Sequence, residues 1–153
     1  MRIGELCKRE VVHCTRATGI AGIAKLMRQH HVGDVIVVDC QGNDLVPVGI
    51  VTDRDLVVEV LAQDVPRDAL TAEDLIKGAP VTAMEDELVY DAIWHMRGRG
   101  VRRLPVVDRR GCLVGIVTAD DVSRFLATEL TDLAQIAPHQ MSLEKSALTP
   151  VTV

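Results

Sequence analysis

Hydrophobic residues along this chain fall into short unbroken runs and into longer, helically spaced stretches, and the order of the two kinds repeats. Residues 35–38, 48–51, 104–107 and 113–117 are runs of this first kind, which predicts strands buried on both faces. Within each pair the runs are separated by a Gly-containing turn, at Gly42 and at Gly111. Ahead of each pair come a short helical lead (3–7 and 72–76), a short extended piece, and a longer helix near 19–30 and 87–99. Residues 53–61 and 119–130 read as closing helices, the second with Val122, Phe125 and Leu126 at helical spacing. Residues 62–70 contain Pro66 and several charges and read as a connector. Residues 131–153 carry Pro138 and Pro150 and predict a helical extension followed by a loose tail.

The repetition is visible residue by residue. A shift of 69 sets Leu6 on Leu75, Val12 on Val81, Met27 on Met96, Val32 on Val101, and Val37-Val38-Asp39 on Val106-Val107-Asp108. Three extra residues in the first copy change the shift to 66, and Gly49-Ile50-Val51-Thr52 then falls on Gly115-Ile116-Val117-Thr118, with Asp55 on Asp121. A duplicated unit at about 3–61 and 72–128 accounts for all of these matches. The expected fold class is mixed α/β: two pseudo-symmetric repeats at 1–62 and 72–130, each a small sheet packed with helices. They are joined by a connector at 63–71 and followed by a partly disordered extension at 131–153.

Composition narrows the functional classes. With 153 residues, 48% hydrophobic content and 25% charged residues, the chain can bury a core. A net charge of -5 offers no general attraction to nucleic acid or to an anionic membrane. No run reaches the roughly 18 apolar residues of a membrane span, and the first ten residues lack a signal-peptide core, so a cytoplasmic protein is expected. Cys7, Cys14, Cys40 and Cys112 show no C-x-x-C spacing and are expected to be reduced.

The segments GIVTDRD (49–55) and GIVTADD (115–121) carry the most chemical information. In each, a buried strand ends at a threonine where a helix begins. The hydroxyl and the first-turn N–H groups are expected to face one spot favourable to a phosphate. Asp55 or Asp121 follows in the same turn, where a carboxylate can accept hydrogen bonds from the two hydroxyls of a ribose. The competing reading is a capping box, with Thr52 or Thr118 as N-cap and the aspartate three residues on. Arg54, between Thr52 and Asp55, could reach a phosphate or lie exposed.

With its VIVVD and LPVVD strands, Gly turns, G-I-V-T-x-x-D endings and unit length, the chain resembles the cystathionine β-synthase (CBS) domain family in its tandem form, the Bateman module, over roughly residues 1–130. The resemblance implies a pseudo-two-fold pair of sheets enclosing two clefts for an adenosine ligand: AMP, ADP, ATP, NAD or S-adenosylmethionine. It implies ribose on Asp55 and Asp121, phosphate near Thr52 and Thr118, and aliphatic adenine walls at Val12, Ile36, Val81 and Pro105. Arg102 and Arg103, immediately before the LPVVD strand, become phosphate candidates. Gly33 and Asp34 replace them in the first copy, so the two clefts are expected to differ.

Cys7, His13, Cys14, His30 and His31 cluster in the first copy but fit no common zinc spacing, and no metal site is expected. No Ser-His-Asp set, phosphate loop or paired acids stand out. The expectation is a non-enzymatic regulatory module that binds an adenine nucleotide, forms a homodimer by resemblance to such proteins, and acts on an unknown partner protein. The rivals are a structural scaffold with empty clefts and a metal or redox sensor.

Overall fold

The computed structural model describes residues 1–66 and 68–147. The described residues divide into two compact units, one up to residue 119 and one from residue 120 onward. Within the first unit each repeat builds one three-stranded sheet. The first sheet has β1 (His13–Thr15) parallel to β2 (Asp34–Gln41) and β2 antiparallel to β3 (Asp44–Thr52). The second has β4 (Ala83–Met84) parallel to β5 (Arg103–Val107) and β5 antiparallel to β6 (Leu113–Thr118). Helices α1 (Ile3–Leu6), α2 (Ile20–His30), α3 (Asp53–Asp55), α4 (Ala72–Leu75) and α5 (Val89–Arg99) complete this unit, and α3 runs on as a π-helix over Leu56–Leu61.

The duplication extends to backbone detail. The register slips between Val37 and Val38 in one sheet and between the matching Val106 and Val107 in the other. The turns are closed by Gly42 (φ 64°) and Gly111 (φ 79°), a conformation in which a Cβ is strained. α2 and α5 end on the left-handed residues His31 and Gly100, each helix closed by a bond to the carbonyl of Met27 or Met96.

Burial separates the central strands from the edge strands. Val35, Ile36, Val37 and Val38 are at most 1% exposed, and Leu104, Val106 and Val107 at most 4%. Each such side chain contributes about 1.5–3 kcal/mol relative to exposure. Burial on both faces is thus found in β2 and β5 but not in β3 or β6, where buried and half-buried positions alternate. These two have a neighbouring strand on one side only, β6 adding an isolated bridge from Ile116 to Lys8, and the sheets approach each other along them. β2 and β3 also run further than their apolar stretches, because the ladder continues through polar residues to the Gly42 turn.

The lead helices are exchanged between the repeats. α1 belongs to the first repeat in sequence, yet Ile3 and Gly4 donate to the carbonyls of Glu87 and Glu85 (2.9 Å each), and Lys8 exchanges two backbone bonds with Ile116. α4 belongs to the second, yet Ala72 and Glu73 donate to Thr18 and Arg16, and Ala72 and Leu75 join the core of the first sheet with Cys14, Ile23 and Val37.

The closing helix of the first repeat, expected as one helix over 53–61, is α-helical for one turn only. The β-branched Val57, Val58 and Val60 crowd a regular α-helical turn, and the wider spacing is seen in Ala62 donating to Val57 and Val65 to Val60.

α6 (Ala119–Ala134) is the expected closing helix and runs a few residues past 130, and in the second unit α7 (Ile136–Ala147) continues it as the expected helical extension. Pro138 does not interrupt it, because it sits in the first turn of α7, where its missing N–H has no helical acceptor to lose. The loose tail expected around Pro150 lies outside the described residues.

Candidate functional site

The first GIVTDRD motif forms a complete cap. Thr52 is the N-cap of α3; its Oγ1 accepts from the Asp55 amide at 3.2 Å and donates to Asp55 Oδ2 at 2.6 Å, and its own amide donates to the same Oδ2 at 2.8 Å. The remaining first-turn amides are also engaged: Asp53 donates to the Gly33 carbonyl at 2.9 Å and Arg54 to Asp53 Oδ1 at 2.7 Å. The expected cradle of free amides at this helix start is therefore not formed, because side chains and the strand entry satisfy each donor. Arg54 is exposed.

What remains open on Asp55 is its other oxygen, and a residue of the second repeat faces it. Lys77 Nζ lies 3.7 Å from Asp55 Oδ1 and 2.9 Å from Glu59 Oε1. Its hydrogen bond to Glu59, then the charges of Glu59 and Asp55, hold its ammonium above the ordinary lysine range. Lys77 also lines a cleft of about 240 Å³ together with Ile50, Gly78, Ala79, Pro80, Val81, Val101 and Arg103. Ile50 lies two residues before Thr52 on β3, so this cleft joins the GIVT strand of the first repeat to the entry loop and β5 entry of the second.

A second cleft, of about 410 Å³, is lined by Glu10, Val11, Val12, His13, Leu26, His30 and Val32. Val12 and Val32 are the repeat mates of Val81 and Val101, so both clefts use the same positions of the duplicated unit. Of the predicted aliphatic walls, Val12 and Val81 line these clefts. Ile36 and Pro105 are less than 2% exposed in the central strands and are not among the lining residues, because strand pairing turns them into core.

Arg103 lines the smaller cleft and forms an ion pair with Asp34. Burial pushes the Asp34 carboxyl up from the usual carboxylate range, and the Arg103 charge only partly opposes this. Arg102 contributes its carbonyl, which accepts from the Ala119 amide at 2.8 Å, as Gly33 does for Asp53. Arg109 and Arg110 lie at the turn and pair with Asp86 and Asp44. In the second motif Thr118 closes β6, and Asp121 lies in the first turn of α6, 7% exposed, with Arg124 at 3.5 Å.

Lys77 and Glu59 were not singled out by motif reading. The available signal was that Lys8 falls on Lys77 at the shift of 69. Among the described residues no three His, Cys, Asp or Glu side chains converge as metal ligands. His13 is exposed with Nδ1 on the Val11 carbonyl, and His31 is the C-cap of α2. Among the described residues no helix is long and apolar enough to cross a membrane.

Two small sheets of duplicated sequence, with clefts at equivalent positions, define a tandem-repeat α/β binding fold. The chain belongs to the CBS domain family, which matches it at residues 3–62 and again at 72–128. It is 38% identical over 120 residues to the uncharacterized protein MK0525 of Methanopyrus kandleri, a match covering 78% of this chain and 60% of that one. The chain thus spans about three-fifths of that relative's length. Among solved structures it is similar to the CBS domain protein PAE2072 from Pyrobaculum aerophilum complexed with AMP (TM-score 0.72, 27% identity, covering 84% of this chain and 99% of that one). It is also similar to the CBS domain pair of protein MJ0100 in complex with 5'-methylthioadenosine and S-adenosyl-L-methionine (TM-score 0.73, 28% identity, covering 84% and 98%).

Proposed function

We propose that the chain is a regulatory, non-catalytic module that binds an adenosine ligand in the cleft between Ile50 and the Lys77–Val81 loop. The observation that carries this reading is the Asp55 carboxylate, whose Oδ2 is fixed by Thr52 while Oδ1 meets the exposed Lys77 ammonium at the rim of a largely apolar cleft. A ribose diol donates to Oδ1 once Lys77 moves aside, and adenine packs on Val81 and its neighbours. The AMP and the methylthioadenosine of the two similar structures share that nucleoside part. By the repeat, Asp121 and Thr118 serve a second site.

Binding that bridges the repeats shifts the population between two arrangements and passes to a partner protein through an oligomer surface. The exposed Val57, Leu61, Tyr90 and Trp94 side chains (54%, 70%, 62% and 73% exposed) suit a homodimer contact, which sedimentation equilibrium tests directly.

The complete capping box at Thr52 and Asp55 favours one rival, a scaffold in which these residues only hold the helix start. Calorimetric titration with AMP, ATP, NAD and S-adenosylmethionine separates the two. The sensor reading expects saturable binding that Asp55→Ala removes at one site and Asp121→Ala at the other. A folded protein that binds none of these at millimolar concentration leaves the scaffold.

A further inference from the structure

Asp34 and Arg103 occupy the same position of the two repeats, 69 residues apart, each the first residue of its central strand. They have opposite charges and pair with each other, with side chains 15% and 30% exposed. The pair therefore joins the two repeats at equivalent points, and it engages a cation that the cleft would otherwise offer to a ligand.

Among the described residues, the other cation lining this cleft is engaged as well. Lys77 is held by Asp55 and Glu59. Asp53 adds negative charge beside Asp34, lying so close to Gly33 that its Oδ2 would be 3.2 Å from a Cβ there. Arg54 and Arg102 are near in sequence but are not among the lining residues. Among the described residues two cations thus line the cleft, and both already have carboxylate partners from the first repeat. A polyphosphate that recruits Arg103 must take it away from Asp34 and leave that largely buried carboxylate uncompensated, which is unfavourable in a low-dielectric setting. An uncharged nucleoside needs no such exchange at Asp34.

Size points the same way. At about 240 Å³ the cleft lies below the roughly 300–1,000 Å³ that drug-sized ligands occupy. That suits a nucleoside better than a triphosphate or a dinucleotide.

Resting on the adenosine-binding reading above, we infer that this cleft selects an adenosine ligand of low net charge, a nucleoside or nucleoside thioether, over a nucleoside triphosphate, and that Asp34 sets the selection by neutralising Arg103. Asp34 acts through Arg103 and is a specificity-determining residue rather than a ligand contact.

The test is titration of the full chain with 5'-methylthioadenosine, AMP and ATP. Binding is assigned to this cleft by its loss in Asp55→Ala, and the series is repeated with Asp34→Asn. In the wild type methylthioadenosine is expected to bind this cleft at least about tenfold more tightly than ATP, and Asp34→Asn to shrink that ratio by about tenfold by releasing Arg103. ATP binding as tightly as methylthioadenosine in the wild type, or a ratio that Asp34→Asn leaves unmoved, overturns the inference while the adenosine-binding reading stands. Binding of no adenosine compound removes both. If circular dichroism shows that Asp34→Asn does not fold, the wild-type ranking decides alone.

Discussion

Ile76 packs directly over Gly49: a Cβ built on that glycine would come within 2.2 Å of Ile76 Cγ2. The repeat mates behave alike, since a Cβ on Gly115 would meet Cys7 Sγ at 2.6 Å and the Lys8 carbonyl at 2.9 Å. The glycine of each GIVT motif is therefore there because the exchanged lead segment of the other repeat crosses the strand at that point. Neither glycine is needed for a positive φ.

Gly49→Ala is expected to destabilise the chain by about 1–3 kcal/mol, the usual cost of overpacking a filled core. Urea denaturation measures it. In combination with Ile76→Ala the two losses should be less than additive, because the smaller side chain makes room. Strict additivity would mean that the close approach is not what the glycine serves.

Thr52→Val keeps the shape of the N-cap but removes the hydroxyl that accepts from the Asp55 amide and donates to Asp55 Oδ2. A loss of about 1 kcal/mol is expected, largely restored by Thr52→Ser. An unchanged denaturation midpoint for Thr52→Val would show that the cap contributes nothing to the fold.

Arg16 donates through Nε and Nη2 to the two oxygens of Asp39 at 2.7 and 3.0 Å. Its hydrogen bond, and then its charge, hold the Asp39 carboxyl below the usual carboxylate range. A carboxyl depressed on folding stabilises the protein above its unfolded pKa, and the benefit disappears as pH falls through the folded value. Asp39→Asn should therefore melt below the wild type at pH 7, with the gap closing below about pH 4. Solvent screening keeps the difference small. Thermal melts across pH 3–7 that stay parallel would contradict this.

The thiols differ in access. Burial pushes Cys7, Cys14 and Cys112 above the ordinary thiol range, whereas Cys40 is exposed near the end of β2. A thiol-specific chromophoric reagent should label one cysteine quickly and the others slowly, and Cys40→Ser should remove the fast phase. A fast phase that survives this substitution would place a reactive thiol elsewhere.

Much of this architecture can be read along the chain, because it depends on local pattern. Apolar runs become the buried strands β2 and β5, glycine marks the turns at Gly42 and Gly111, and helical spacing marks α2, α5 and α6. The duplication needed only self-comparison, and Thr52 and Asp55 could be named because a strand end followed by a first helical turn is a local geometry. That geometry was equally compatible with capping and with ligand binding, and sequence alone left both open.

Contacts between residues far apart in the chain were decided by tertiary structure. No local preference indicates that α1 joins the second sheet and α4 the first; that exchange arises because each lead helix buries its apolar face against the sheet that lies in reach. The same holds for Lys77 on Asp55 and for Arg103 on Asp34. Asp55 and Arg103 can be singled out as ligand candidates in their own segments, but nothing local indicates that they pair with Lys77 and Asp34, which come from the other repeat in each case. Fold class follows from periodicity and duplication, whereas the charge state of the cleft follows from which side chains the packing of the two repeats brings together.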